Sequence, residues 1–189
     1  MISKRVADRD FSWLFRFVLT IVLACGIVMP GLAQKQAGKR YPELVEEVRH
    51  QLVMLPYYGV FDNLEFRIEG ADTVVLSGQV SRPTLKSDAE RTVKRLESVS
   101  KVVNNIEVLP VSPHDDDIRI AAYRAIYSKP GLDRYAHRAV PPIHIIVKNG
   151  NITLVGVVAS EGDKNLAGIA AKGVSGAFNV ENKLSVERN

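Results

Sequence analysis

The sequence has almost no cysteine, since Cys25 is the only one among its 189 residues. Cys25 lies in an N-terminal segment that has the pattern of an export leader, so a processed chain starting at Gln34 would contain none. A chain without a cysteine pair cannot form an internal disulfide, even in an oxidising compartment. Its stability must therefore come from the packing of an apolar core.

Sequence motifs that support a reaction are also missing. There is no nucleophile elbow, no phosphate-binding loop and no zinc signature. We therefore predict that the protein is not an enzyme and holds no cofactor and no metal. Its net charge of +4 gives no support to nucleic-acid binding, because residues 1–33 carry four of the 25 Lys and Arg and two of the 21 Asp and Glu. The remainder has 21 basic and 19 acidic residues, a net charge of +2.

The longest apolar run of the N-terminal segment, Phe17–Met29, has about 13 residues, fewer than the roughly 20 that a membrane-spanning helix needs. Four basic residues precede or border it, and the small-residue segment Pro30–Ala33 follows it. This order is typical of a signal peptide, which we place at residues 1–33. The sequence therefore predicts export to the periplasm. The basic residues are Lys4, Arg5, Arg9 and Arg16.

Three fates of this leader stay open. The first is cleavage after Ala33. The second is lipidation, because Val22–Gly26 resembles a lipoprotein processing box and would leave a lipid anchor at Cys25. The third is an uncleaved membrane anchor in which Phe11–Phe15 joins the apolar run and the Arg16 side chain reaches the membrane surface. All three place residues 34–189 outside the cytoplasm.

The most informative pattern in the sequence is an internal repeat. The segment Val74–Val80 recurs at Ile152–Val158 with an offset of 78 residues, which carries Gly78 onto Gly156. Applied without a gap, the offset relates residues 44–108 to residues 122–186 and takes Tyr57 onto Tyr135. A repeat of this length is a whole small domain. Two copies of one binding module favour attachment at two points.

Each copy predicts the order helix, strand, strand, helix, strand from its apolar periodicity. In the first copy a helix starts at Pro42, a hairpin turns at Gly70, and a second helix covers Leu85–Ser98. In the second copy Asn149-Gly150 predicts a tight hairpin turn. We therefore predict a flexible tether at 34–41, a first domain at 42–109, a linker at 110–114 and a second domain at 115–188. We also expect the two domains to dock against each other.

Several polar or unusual residues have a structural interpretation that is simpler than a functional one. Gly78 and Gly156 are predicted to be structural glycines at a strand bend or a close approach. His114 with Asp115–Asp117 does not predict a metal site, because neighbouring helix positions point in different directions and an acidic first turn is ordinary capping chemistry. His144, which the offset aligns with Phe66, is predicted to be a packing or surface variant.

Two stretches are candidates for a binding surface, although ordinary solvent-exposed composition would also explain them. The first is the basic face of the helix at residues 85–98, whose cations could bind phosphate head groups. The second mixes cations with tyrosines, which favour interfaces. The candidate lipid-binding residues are Lys86, Arg91, Lys94 and Arg95. The candidate interaction surface consists of Tyr123, Arg124, Tyr127, Lys129, Arg134, Tyr135 and Arg138.

The second strand and the last strand of each copy resemble the BON domain. The resemblance is carried by Leu76–Val80 with Val102–Val108, and by Leu154–Val158 with Val180–Val186. It implies an α+β protein with two tandem αββαβ BON-like domains. Each would be a three-stranded mixed sheet with two helices packed on one face.

The resemblance also implies a function. Tandem BON proteins are similar to factors that preserve the cell envelope under osmotic or other stress, and the family is taken to bind phospholipid or envelope partners without catalysis. In tandem lipoproteins of the family, lipid contact is assigned to a helix of the second domain. Here that helix, Glu161–Lys172, has only Lys164 and Lys172 as cations, so the basic helix of the first copy is the better candidate.

The resemblance therefore predicts an exported, non-enzymatic protein that binds anionic phospholipid or an envelope protein and does not bind nucleic acid. The alternative is a periplasmic protein-interaction scaffold or holdase for exported proteins. It would use an exposed sheet edge or the surface between Tyr123 and Arg138. The sequence does not predict an oligomeric state.

Overall fold

Two αββαβ units follow one another in the computed structural model, which describes residues 30–187 and the side chains of residues 41–187. The predicted α+β fold of two tandem units is confirmed. The predicted leader at residues 1–33 lies almost entirely outside the described residues. The first unit contains α1 (Pro30–Val53), β1 (Asn63–Glu69), β2 (Thr73–Val80), α2 (Pro83–Val93), β3 (Lys101–Asn104) and β4 (Glu107–Val108). The second contains α3 (Pro113–Tyr127), α4 (Asp133–Ala136), β5 (Ile143–Lys148), β6 (Asn151–Val158), α5 (Glu161–Lys172), β7 (Asn179–Asn182) and β8 (Ser185–Val186).

Each unit has one mixed sheet. In the first, β2 is antiparallel to β1 and parallel to β3 and β4. In the second, β6 has the same relation to β5, β7 and β8. The predicted last strand is split into two pieces that keep one register, since Thr73 pairs with Lys101 and Gln79 pairs with Glu107. Each sheet therefore has three rows of strands, with the last row interrupted.

The hydrophobic core of each unit lies between its helices and one face of its sheet. In the first unit, α1 contributes Leu44, Val48 and Leu52, and all three are buried against residues of β2 and α2. The second core is built in the same way from α3, β5, β6 and α5. This arrangement confirms the predicted packing of two helices on one sheet face. Residues 41–189 form one compact unit that holds both cores.

Gly78 and Gly156 lie where the backbone at the start of the preceding strand passes very close to β2 or β6. Their φ angles are 105° and 123°, a region that L-residues rarely adopt. A Cβ atom at Gly78 would lie 2.1 Å from the carbonyl oxygen of Asn63, and one at Gly156 would lie 1.9 Å from that of Pro142. Neither position has room for a side chain.

Two asparagines satisfy the backbone where the last row of each sheet is interrupted. The Nδ2 of Asn104 donates to the carbonyl of Lys86 at 2.9 Å, and its Oδ1 accepts from the N–H of Ile106 at 3.2 Å. Asn182 makes the equivalent bonds with Lys164 and Leu184, at 2.8 and 3.2 Å. Both side chains thereby tie the last strands to the second helix of their unit.

The gapless offset of 78 is wrong upstream of the hairpin turns. Phe66 pairs with Leu76, so the offset of 78 predicts that His144 pairs with Leu154. The residue that pairs with Leu154 is instead Ile145. The first strands are therefore offset by 79, because the second copy has the shorter turn. That turn, Asn149-Gly150, has positive φ at both positions, as predicted. A shift of one residue moves every side chain of a strand to the opposite face, so His144 corresponds to Glu65.

The segment between the first helix and the first strand also differs in length. It is longer in the second copy, where it contains α4. Tyr57 and Tyr135 are therefore not equivalent, and they differ in environment: Tyr57 is 73% exposed and Tyr135 is 5% exposed. Loops accept such insertions at little cost in free energy, which explains why the two copies diverged there.

Three predicted boundaries also change. Residues 34–41, predicted as a flexible tether, are helical, and Pro42 lies inside α1. Ala, Gln, Lys and Arg favour helix, so a polar composition alone did not exclude it. α3 already begins at Pro113, with Ser112 as its N-cap, which shortens the predicted linker. α2 ends at Val93, before the predicted Ser98. Within residues 30–187 no helix has both the length and the apolar composition needed to span a membrane.

Candidate functional site

The predicted basic cluster lies at the C-terminal end of α2. The helix buries Leu85 and Val93 against the first core, which turns its other side toward solvent. Arg91, Lys94 and Arg95 are exposed, while Lys86 is half-buried. Lys94 is the C-cap of the helix, where positive charge is favoured by the helix dipole.

Acidic residues on α2 neutralise only part of this cluster. Asp88 forms an ion pair with Arg91. Glu90 accepts a hydrogen bond from Asn104 at 3.0 Å, which holds its carboxylate toward the sheet. Within residues 41–187, Lys86, Lys94 and Arg95 form no ion pair. These cations can therefore interact with an anionic group outside the protein.

Tyr127, one of the two buried tyrosines of the second predicted surface, is part of the second hydrophobic core. Its hydroxyl donates to the carbonyl of Ile143 at 2.7 Å, and burial raises the pKa of the side chain. Tyr123 is half-buried, with its ring centroid 4.8 Å from that of Tyr127. The interface prediction is therefore wrong for Tyr127, because a tyrosine can bury its ring when its hydroxyl finds a partner.

Tyr135, the other buried tyrosine, anchors the start of α5. Its hydroxyl donates to Asp163 Oδ2 at 3.0 Å and accepts from the N–H of Ala159 at 2.9 Å. Arg134 donates to the same carboxylate oxygen at 2.6 Å. Tyr135 therefore cannot be an interface residue either. The members of this predicted surface that are exposed are Arg124, Lys129, Arg134 and Arg138.

The acidic cluster at the start of α3 stabilises the fold through contacts within the protein. Asp115 is buried and accepts hydrogen bonds from the backbone N–H groups of Asn149 at 2.9 Å and Gly150 at 2.7 Å. Asp116 pairs with Arg119, so the carboxylates diverge. In the described part of the chain, no three His, Cys, Asp or Glu residues are grouped in a way that could hold a metal ion.

The contact between the two units uses a feature that sequence patterns did not reveal. Residues 58–62, here called the bridging segment, form a turn in which the N–H of Asp62 donates to the carbonyl of Gly59 at 3.1 Å, and this turn contacts the edge strand β5 of the second unit. The carbonyl of Val60 accepts from the N–H of Ile145 at 2.8 Å. Phe61 packs against the second core, with its ring edge-on to that of Tyr123 at 6.3 Å. The expected docking of the two units is therefore present.

Asp62 holds the bridging segment in shape. This buried carboxylate accepts from the N–H of Gly59 at 3.2 Å, from the N–H of Ser81 at 2.6 Å and from the Ser81 hydroxyl at 2.8 Å. The segment is thus fixed to the end of β2 at one side and to β5 at the other. No signal in the sequence indicates that it would cross to the other unit.

His144 lies in the same contact. Its ring stacks on that of Tyr58, with centroids 5.6 Å apart, and its Nδ1 is 3.3 Å from the carbonyl oxygen of Gly59. Burial lowers the pKa of His144, against the opposing influence of that hydrogen bond and of the Asp62 carboxylate. Burial also raises the pKa of Tyr58 to about 12. The contact therefore favours a neutral imidazole.

We expect the protein to lose stability as the pH falls through the range where unfolded histidine gains a proton. The folded pKa of His144 is lowered, so the unfolded chain binds more protons there, at a cost of at most about 1.4 kcal/mol per pH unit. Urea unfolding from about pH 7.5 to about pH 5.5 measures this slope. His144→Phe, which can keep the ring stacking, should reduce the slope, and His137→Phe at an exposed histidine should not. Equal slopes in both variants would contradict the assignment.

The family follows from a comparison with known domains. The model of the BON domain matches residues 43–110 and 129–188, which together are more than half of the chain. The chain belongs to the BON family. The match in the second BON domain begins after α3, in the segment whose length differs between the copies. BON domains are generally non-enzymatic and are associated with lipid or protein interactions.

Two solved structures, both of CdsD, a structural protein of the type III secretion system of Chlamydia trachomatis, also align with the chain. One, of the C-terminal domain, is 17% identical, with 76% of this chain and 64% of that chain covered and a TM-score of 0.29. The other is 12% identical, with 77% and 92% covered and a TM-score of 0.30. The alignment thus spans less than two thirds of the first structure. No curated protein matches the chain.

The basic cluster belongs to the first BON domain only. Downstream of the hairpin turns the offset of 78 holds, so Lys86 and Lys94 correspond to Lys164 and Lys172 of α5. The position of Arg91 is taken by Ile169, which is 68% exposed. The two BON domains therefore present different surfaces on equivalent helices.

Proposed function

We propose that this chain is an exported, non-enzymatic tandem BON protein that binds anionic phospholipid membranes and supports envelope integrity under osmotic or other stress. The observation that carries the proposal is the exposed group of Arg91, Lys94 and Arg95 at the end of α2. The family supports a role at a lipid or protein surface of the envelope.

The charges of this group are sufficient for reversible attachment. A Lys or Arg near an anionic membrane contributes about 1 kcal/mol. Three or four such contacts give about 3 to 4 kcal/mol, which is a partition ratio of several hundred. Because exposed charges are screened within about 10 Å at 0.1 M salt, the binding should weaken as salt is added.

We expect the variant R91E/K94E/R95E to lose at least about ten-fold in binding to anionic vesicles, because each reversal replaces an attraction with a repulsion. Flotation of the purified chain on vesicles of phosphatidylcholine, with and without phosphatidylglycerol, measures the binding. Lys86 is left unchanged because it is half-buried. The matched control R124E/K129E/R138E makes the same change in net charge at exposed cations of the second BON domain.

Two results would contradict the lipid proposal. One is equal recovery of the unmodified chain on neutral and anionic vesicles. The other is an equal loss in both triple variants, since that would show a dependence on net charge alone. A loss confined to the control variant would move the lipid contact to the second BON domain.

The alternative function, a periplasmic scaffold or holdase for exported proteins, has one observation in its favour. The edge strand β1 of the first BON domain borders an apolar groove, whereas the equivalent edge of the second BON domain is covered. An uncovered strand edge is a ready template for pairing with another chain.

A further inference from the structure

A cleft of about 590 Å³ lies between the two BON domains and is lined by residues of both sheets. We call it the sheet cleft. Leu64 packs against the first core, whereas its neighbour Glu65 lines the cleft, and Leu154 belongs to the second core, whereas its neighbour Thr153 lines the cleft. Since side chains alternate along a strand, the cleft is formed by the sheet faces that do not carry the helices. Its volume is within the range of small-ligand pockets, about 300 to 1,000 Å³, which are frequent between domains.

The sheet cleft has an apolar floor with polar groups beside it. Leu109 and Ile146 line the cleft, are only 3% and 5% exposed, and belong to neither hydrophobic core. Gln79 and Thr153 also line it and are half-buried. Within residues 41–187, the side chains of these two residues make no hydrogen bond. An amide and a hydroxyl can both donate and accept, so they are free to bind the polar groups of a ligand.

The charged residues of the sheet cleft are separated by domain. Its two carboxylates, Glu65 and Glu107, both come from the first BON domain. Its two amines, Lys148 and Lys183, both come from the second. The cleft therefore has an acidic wall and a basic wall, and the four charges cancel. Such an arrangement favours a ligand that carries a cation at one end and an anion at the other over a ligand with a single charge.

One charge on each wall is available to a ligand. Glu107 and Lys148 form an ion pair with each other, which joins the two walls. Glu65 is exposed and forms no ion pair in the part of the chain from residue 41 to residue 187. Lys183 pairs with Glu181 at 2.9 Å, but both side chains are more than half exposed, and exposed pairs of this kind are weak. Glu65 and Lys183 can therefore each bind a charged group from outside the protein.

We propose that the sheet cleft binds a short peptide with free termini. The ammonium group of the peptide lies at the acidic wall beside Glu65, and its carboxylate lies at the basic wall beside Lys183. The peptide groups between the two ends form hydrogen bonds with Gln79 and Thr153. This site is on the sheet face opposite α2, so it is separate from the basic cluster and goes beyond the proposed lipid binding.

The test titrates trialanine into the isotope-labelled full chain in four forms: with free termini, N-acetylated, C-amidated, and with both ends blocked. We expect the free form to shift the NMR signals of the Gln79 and Thr153 amides. Blocking either end should weaken binding at least about three-fold, since each block removes one exposed charge contact. Blocking both ends should weaken it about ten-fold, and added salt should reduce the advantage of the free form.

Two variants assign the two ends. Glu65→Gln should remove most of the advantage of a free ammonium group, so that trialanine and its N-acetylated form bind nearly alike. Lys183→Gln should do the same for the free carboxylate, so that trialanine and its amide bind nearly alike. The matched controls Glu97→Gln and Lys172→Gln change exposed residues outside the cleft and should leave all four affinities unchanged.

Three outcomes would overturn the proposal. The first is the absence of shifts at the cleft amides at millimolar trialanine. The second is equal binding of the free and the doubly blocked forms. The third is an equal effect of the cleft variants and the control variants. R91E/K94E/R95E should leave trialanine binding unchanged, which keeps this test distinct from the lipid test.

Discussion

Replacing Gly156 with alanine should lower the free energy of unfolding by more than about 3 kcal/mol, or prevent folding. The new Cβ would lie 1.9 Å from the carbonyl oxygen of Pro142, and the backbone φ of 123° disfavours any L-residue. The obstacle is a backbone atom of the residue just before β5, so no side-chain rotation can relieve it. Urea unfolding followed by circular dichroism measures the loss.

Gly131 provides a matched control in the same BON domain. Its φ of 94° is also positive, but no atom lies within 4 Å of a built Cβ. Gly131→Ala should therefore cost only the conformational strain, about 1 to 2 kcal/mol. The difference between the two variants isolates the close approach of the hairpin strands. Similar losses in both would show that backbone conformation alone explains Gly156.

Replacing Asp115 with alanine should destabilise the chain by about 2 to 3 kcal/mol, because it removes a charged acceptor from two backbone N–H groups. Those groups belong to Asn149 and Gly150, which form the hairpin turn between β5 and β6. Gly150 is buried, so water cannot readily replace the lost acceptor at that residue. The midpoint of urea unfolding, at constant slope, measures the change.

The control for this prediction is Asp117→Ala, two residues further along α3. Asp117 is exposed, so its removal should change stability by no more than about 0.5 kcal/mol. Asp115→Asn keeps one acceptor oxygen and should fall between the two alanine variants. Equal effects at Asp115 and Asp117 would mean that both act only through the helix dipole. The contacts to the hairpin turn would then contribute nothing measurable.

The sequence predicted the part of the fold that lies downstream of the hairpin turns. There the offset of 78 holds because Gly78 and Asn104 and their counterparts serve the same close approach and the same interrupted strand. Such positions tolerate few residue types, so the two copies have the same residues there. Upstream, a shorter turn and a longer loop changed the register, and apolar residues on both faces of β5 hid the shift.

The sequence predicted which basic residues cluster in the candidate site, but it did not predict which neighbouring residues are buried. Helical spacing placed Arg91, Lys94 and Arg95 near one another, although α2 ends earlier than expected. The predicted interaction surface was wrong at Tyr127 and Tyr135, which are buried. A stretch that mixes tyrosines with basic residues looks the same in sequence whether the tyrosine rings are buried or exposed. The bridging segment could not be predicted, since its partner strand lies more than 80 positions away in the chain.

The bridging segment makes the two BON domains unequal. The first domain supplies the cover for the second, but the described residues of the second supply none for the first. Duplication therefore did not produce two interchangeable modules. Among the described residues the outer edge of β5 is occupied by the bridging segment and that of β1 is not, so the two BON domains offer a partner different edges.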